Sequence, residues 1–292
     1  MSGARSVFRA LRETLEMIKF EHSVFALPFA FLGMMLAADG WPPWSTVGWV
    51  AVAMVAARSA AMAFNRLADR RVDAANPRTV DRALPSGRLS PTAVGIFVTG
   101  CSALLVVAAW RLNPLALQLS PIAIAVVLLY SYSKRFTFLS HLILGLGISA
   151  APLGAWIAVR GAIEIAPLIL ASAVLLWVAG FDILYALQDQ DFDRAHGLHS
   201  IPSRFGTRAA LWVSSLFHVG MLLLLALLPI SMPRPIGAGY WVGVAGCATL
   251  LLFQHSILRP ADLSRLNAAF FRANGMLALW LFLTTAIGIL LR

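Results

Sequence analysis

Apolar residues fill this chain in long stretches, broken by short turns at some points and by long charged loops at others. The pattern predicts nine helices, over 20–38, 47–64, 91–110, 114–132, 138–159, 165–186, 209–229, 237–257 and 270–291. Several of these approach or exceed 18 residues with at most one charge, the length and polarity an α-helix needs to cross a bilayer. The expected fold is therefore an all-α integral membrane protein. About nine transmembrane helices would form a bundle in one polytopic domain, residues 1–292. Phe20 to Ala38 follows a basic stretch as a signal peptide would, but it contains Pro28 and many more spans come after it. It reads as an uncleaved first helix.

Composition agrees with the pattern: 60% hydrophobic and 12% charged residues do not describe a soluble globule. Cys101 and Cys247 lie inside apolar stretches without metal-ligand spacing and read as small buried hydrophobes. The net charge of +10 raises the question of nucleic acid, and the distribution of charge answers it. The N-terminus and the connections after even-numbered stretches hold eighteen Lys and Arg, the other connections and the C-terminus four, and Arg58 lies inside a stretch. By the positive-inside rule the N-terminus and the long loops are cytoplasmic, in a bacterial-type inner membrane, and the C-terminus lies outside. The basic charge is thus mostly topological, with some of it available to anionic lipid headgroups. No nucleic-acid partner is expected.

Two of the cytoplasmic loops carry acids in register. "NRLADRRVDAANPRT" (65–79) places Asn65, Asp69 and Asp73 at i, i+4 and i+8, on one face of a helix. Arg66 is expected to point about 100° away from that face. "FDILYALQDQDFDRAHGLHSIPSRFG" (181–206) places Asp182, Tyr185, Asp189 and Asp193 at i, i+3, i+7 and i+11, again one helical face. Asp69 and Asp189 are 120 residues apart, as are Asp73 and Asp193, and a Pro-Ser pair follows in each loop. This predicts pseudo-repeat halves, about 20–135 and 138–258, plus a final helix, with a site between them. With Asp81 just beyond the first, seven of the thirteen carboxylates fall in or beside these two regions. Aspartates at membrane helix ends are costly unless solvated, paired or bound to metal. One reading is a pair of solvated helix ends neutralised by arginine. The other is a binding site: oxygen donors without His or Cys suit Mg²⁺, which shares its six positions with water and phosphate, while Arg and Lys neutralise the remaining phosphate charge.

Asn65-x3-Asp69-x3-Asp73, the downstream Tyr-Ala-x-x-Asp189-x3-Asp193 and "YSYSKRFT" (130–137) resemble the UbiA superfamily of intramembrane aromatic prenyltransferases over nearly the whole chain. They are most similar to bacterial members of the 4-hydroxybenzoate polyprenyltransferase type and to menaquinone-pathway relatives that act on a naphthoate acid. One departure is that Asn65 is followed by Arg66, where the family often has Asn-Asp. The resemblance implies Mg²⁺-dependent transfer of a polyprenyl chain from its diphosphate to an aromatic acid, in ubiquinone or menaquinone biosynthesis, at a cytoplasmic-side active site. It assigns Asp69, Asp73, Asp189 and Asp193 to the metal and to catalysis. It assigns Asn65, Asp182, Tyr185, Lys134 and Arg135 to the substrate, with Tyr130 and Ser133 nearby. For a carboxylate on the acceptor the candidates are Arg58, since an intramembrane arginine is expensive, and Lys19. Glu21 and His22 could line the same place or serve as interfacial residues. Small residues in "LGLGISAAPLGAW" (144–156) fit either close helix contact or a slot for the tail. A secondary transporter would share the repeats and the intramembrane charge, but it would more often place its acids at membrane depth on broken helices.

Overall fold

The computed structural model describes residues 12–18, 27–258, 266 and 273–291. Every described regular element is helical. A short helical stretch at 12–17 is followed by α1 (Leu27–Ala38), α2 (Trp44–Ala75), α3 (Pro91–Leu112), α4 (Pro114–Ser133) and α5 (Ser140–Arg160). Then come α6 (Ile165–Ala186), α7 (Gln190–Ala195), α8 (Ile201–Leu227), α9 (Ala238–Ser256) and α10 (Asn274–Leu290). Among the described residues a helix lies within each of the nine apolar stretches, but fewer reach spanning length. Six helical segments, Trp44–Ala75, Pro91–Leu112, Pro114–Ser133, Ser140–Arg160, Ile165–Ala195 and Ile201–Ser231, are long and apolar enough to cross a membrane. The described parts of the first and last helices are shorter apolar elements.

Local chemistry sets the boundaries. Proline stands in the first turn of α3, α4 and α8, where its missing N–H costs nothing. Ser90, Asn113 and Ser200 cap the same three helices by accepting from the backbone N–H three residues on. Asn76 ends α2 in extended geometry (φ −95°, ψ 119°), as a residue before proline prefers.

Packing is inverted relative to a soluble bundle. The buried residues of α4 are Ser120, Ser131 and Ser133, while Ile122 and Leu129 face outward. Trp212, Leu216 and Leu223 of α8 and Leu252 of α9 also face outward, an apolar surface suited to lipid. The main core joins α1, α5, α6, α8, α9 and α10 around Phe29, Trp156, Trp177, Met221 and Tyr240. On the other side, α2 to α5 surround a cavity of about 400 Å³ lined mostly by aliphatic side chains, with Asn65, Arg58 and Tyr130 among its few polar ones.

Candidate active site

The charged half of α2 follows its apolar half without a break, so Asn65, Asp69 and Asp73 do share a helix. The Asn65 amide donates to Asp69 Oδ2 at 3.0 Å. The loop beyond α2 is folded back by local bonds: Asn76 Oδ1 accepts from Arg78 N at 2.9 Å, and Thr79 Oγ1 donates to the Asp73 carbonyl at 3.0 Å. This turn aims Arg78 and Arg82 at the acids. Arg82 Nη1 donates to Asp73 Oδ1 at 2.7 Å. Arg78 grips Asp189 of the second loop through Nε (2.9 Å to Oδ1) and Nη2 (2.5 Å to Oδ2), while Asn76 adds a bond of 3.3 Å. Planar guanidinium against carboxylate is the strong form of this contact.

The second acidic stretch is not one continuous helix. α6 ends at Ala186, Leu187–Asp189 forms a single 3₁₀ turn, and α7 starts at Gln190. The expected face of Asp182, Tyr185, Asp189 and Asp193 is therefore broken, and tertiary partners rather than helical periodicity place the last two. Lys134, which follows α4, lies 3.5 Å from Asp193, and its carbonyl accepts from His199 N at 2.7 Å. Arg135 Nη2 lies 3.3 Å from Asp69 Oδ1, donates to the Ala68 carbonyl at 2.7 Å, and stacks over Tyr132.

Each of the four motif aspartates thus has a cation of its own. Burial alone would lower the pKa of Lys134, but the fields of Asp193, Asp182, Asp189 and Asp69 outweigh it and raise the pKa above the ordinary lysine value. Arg78 is likewise depressed by burial and raised further by Asp189, so its net shift is upward. Both stay charged across the physiological range.

The carboxylates fit a hard cation in part. Asp73 Oδ2 and Asp193 Oδ2 are buried without a hydrogen-bond partner, the second with only the Lys134 ammonium at ion-pair distance. Such lone pairs suit an oxygen-coordinated ion. Among the described residues, however, no three His, Cys, Asp or Glu converge closely enough to hold a metal by themselves. A divalent ion held here would need further oxygen ligands, such as phosphate or water.

Other expected residues fall in several places. The Tyr185 hydroxyl accepts from Arg78 at 3.4 Å, inside the site. Asp182 lies against a buried histidine, His141, at 2.7 Å. Arg58 and Tyr130 line the apolar cavity beside Asn65. Ser133 is spent on the Tyr130 carbonyl at 2.6 Å. Arg66 does not stand apart from the site: it is half-buried, within the field of Asp73, Tyr130 and Tyr185, and lines a small cavity with Arg82. A guanidinium is long enough to fold back from a neighbouring face, which the helical angle ignores. Lys19, Glu21 and His22 lie outside the described residues. By sequence Arg78 and Arg82 count only as topological charge, and neither Asn76 nor His141 is among the expected site residues. The Asn-Pro helix stop and the i, i+4 spacing of the two arginines were the available signal.

The fold and this site define a multi-pass helical membrane protein with a cluster of paired acids and bases near an apolar cavity. The model of the UbiA prenyltransferase family matches residues 26–276, and the chain belongs to that family. It is a polyprenyltransferase. Among curated relatives, 4-hydroxybenzoate octaprenyltransferase of Vibrio campbellii is 32% identical over 243 residues, covering 82% of this chain and 84% of that one. The enzyme of the same name from Vibrio vulnificus is 32% identical over 254 residues, covering 85% and 88%. Among solved structures, the apo UbiA homologue from Aeropyrum pernix K1 superposes with a TM-score of 0.80 at 34% identity, covering 92% of this chain and 97% of that one. A UbiA homologue from Archaeoglobus fulgidus, solved with DMAPP and Mg²⁺, shares the fold at a TM-score of 0.68 and 17% identity, covering 94% and 99%.

Proposed function

We propose that this enzyme transfers a polyprenyl chain from its diphosphate to an aromatic acid, 4-hydroxybenzoate, in respiratory quinone biosynthesis. The observation that carries the reading is the juxtaposition of four aspartates and four cations with a long apolar cavity. The names of the curated relatives support the acceptor. In this reading Asp69, Asp73, Asp189 and Asp193 hold Mg²⁺ through their carboxylate oxygens, and the ion supplies charge stabilisation to the leaving diphosphate. Arg78, Arg82, Lys134 and Arg135 turn from the aspartates to the phosphate oxygens, which they neutralise without needing to lose a proton. Asn65 holds Asp69 in place, and Tyr185 does the same for Arg78. The apolar wall of α2 to α5 takes the prenyl tail and keeps water from the allylic carbon as the diphosphate leaves. Arg58, inside the cavity wall, meets the carboxylate of the acceptor and orients the ring. The ring carbon next to the phenolic hydroxyl attacks the allylic carbon, the bond to the diphosphate oxygen breaks, and the ring then loses its proton.

The two acidic loops descend from the pseudo-repeat halves and face the cytoplasm of a bacterial-type inner membrane, as eighteen basic residues against four imply. Reporter fusions near residues 80 and 200 should both read cytoplasmic, and an outward reading at either would sink that orientation.

The direct test offers membranes containing this protein a labelled polyprenyl diphosphate, with 4-hydroxybenzoate or a dihydroxynaphthoate added separately. Label should enter 4-hydroxybenzoate, stop in excess EDTA and resume with Mg²⁺. Transfer to the naphthoate alone would reassign the acceptor, and full turnover in EDTA would remove the metal from the reading.

A further inference from the structure

Histidine inside a membrane bundle is costly and asks for an explanation. His141, in the first turn of α5, is fully buried and uses both ring nitrogens. Nδ1 lies 2.7 Å from Asp182 Oδ2, and Nε2 accepts from the backbone N–H of Ile201 at 3.3 Å. A backbone N–H can only donate, so Nε2 carries the lone pair and Nδ1 carries the hydrogen that it gives to Asp182. The ring thus ties three elements together: α5 by its own backbone, α6 through Asp182, and α8 through Ile201. Ile201 immediately follows Ser200, whose cap closes the loop bearing Asp193.

Asp182 stands in the last part of α6, seven residues before Asp189, which lies beyond that helix in the 3₁₀ turn. Its side chain is 14% exposed, and one of its two oxygens is taken by His141. Tyr130, which lines the apolar cavity, lies within the field of Asp182. Asp182 acts on both Tyr130 and Lys134, so it stands between the apolar cavity and the cations assigned to the phosphates.

We propose that His141 is a positioning residue that fixes the Asp182 carboxylate on the acceptor side of the site. The inference rests on the prenyl-transfer reading, with the diphosphate handled by the other four aspartates. Loss of the imidazole frees the Asp182 carboxylate to rotate, so the acceptor is held less well while the donor is held as before.

The experiment compares wild type, His141→Ala and His141→Asn in membranes, with KM measured separately for the polyprenyl diphosphate and for the aromatic acid. The Asn side chain places an N–H near the position of Nδ1 and lacks the atom that accepts from Ile201. His141→Ala should raise the KM for the acid or lower kcat, by about ten- to a hundredfold in kcat/KM for the acid, with the KM for the diphosphate unchanged. His141→Asn should recover most of that loss. A merely structural histidine would give equal losses for both substrates, or an Asn variant as impaired as the Ala one, and either result overturns the proposal. Should His141→Ala fail to accumulate, His141→Asn against Asp182→Asn gives the same reading: only the latter should lose the acid. Absence of transfer by the wild type is a different outcome and would count against the prenyl-transfer reading itself.

Discussion

At the scale of single residues the site is a set of matched charges, and this determines how substitutions behave. Asp69→Asn and Asp189→Asn keep size and polarity but remove the charge that an oxygen-coordinated ion requires. Each should lower turnover by at least about a hundredfold, in line with the several kcal/mol that a catalytic metal supplies. Their effects on stability should differ. Asp69 keeps Asn65 as a neighbour and faces the exposed Arg135, whereas Asp189 accepts from Asn76 and twice from Arg78. Thermal unfolding in detergent should therefore fall further for Asp189→Asn than for Asp69→Asn, with both proteins still inserted. Near-normal turnover in both would return the acids to the status of solvated helix ends. The aspartates were legible because acids in a greasy chain stand out and their spacing repeats. Their partners were less so, since Arg78 and Arg82 look like any cytoplasmic arginine until a turn built on Asn76 aims them. His141 was hidden for another reason: its two partners come from elements 41 and 60 residues away.

At the scale of elements, the apolar stretches predict where the long helices lie, because lipid demands continuous internal hydrogen bonding and leaves little else possible; the short α7 lies outside them. The break at Leu187–Asp189 was not legible, since a face drawn at 3.6 residues per turn cannot report a helix that changes pitch. The glycines of "LGLGISAAPLGAW" admitted two readings, and the structure divides them. A methyl group on Gly145 would sit 2.5 Å from the Leu175 carbonyl, so this glycine permits close contact between α5 and α6. Gly147 lines the apolar cavity, and a methyl group there meets nothing nearer than Val127 at 3.7 Å. Gly145→Ala should thus destabilise the fold by about 1–3 kcal/mol, the usual cost of overpacking, read as a lower unfolding temperature. Gly147→Leu should fold normally but fill part of the cavity, and so favour shorter prenyl diphosphates in competition assays. The same donor preference as wild type in Gly147→Leu would remove the tail from this cavity.

At the scale of the whole molecule, the two acidic loops are joined before any ligand arrives. Arg78 and Asn76 from the first loop hold Asp189 in the second, and Lys134 reaches Asp193 from between them. This internal neutrality has a thermodynamic consequence. A divalent cation alone must enter among Arg78, Arg82, Lys134 and Arg135, and a diphosphate alone must enter among four carboxylates. Each is opposed by like charge. Together they re-pair both sets, with carboxylates on the ion and guanidinium groups on the phosphate, so each should favour binding of the other. Coupling of this kind is commonly about 1–3 kcal/mol, or roughly 5- to 150-fold in affinity. The check uses inorganic pyrophosphate, which carries the headgroup without the tail. Mg²⁺ and pyrophosphate added together should raise the unfolding temperature by more than the sum of their separate shifts, because stabilisation follows occupancy. In Arg78→Gln the coupling should shrink: Mg²⁺ alone should bind more readily, while pyrophosphate gains less from its presence. Additive shifts in the wild type would mean that the four ion pairs stay closed when ligand binds, and the exchange of partners from aspartate to phosphate would have to be abandoned.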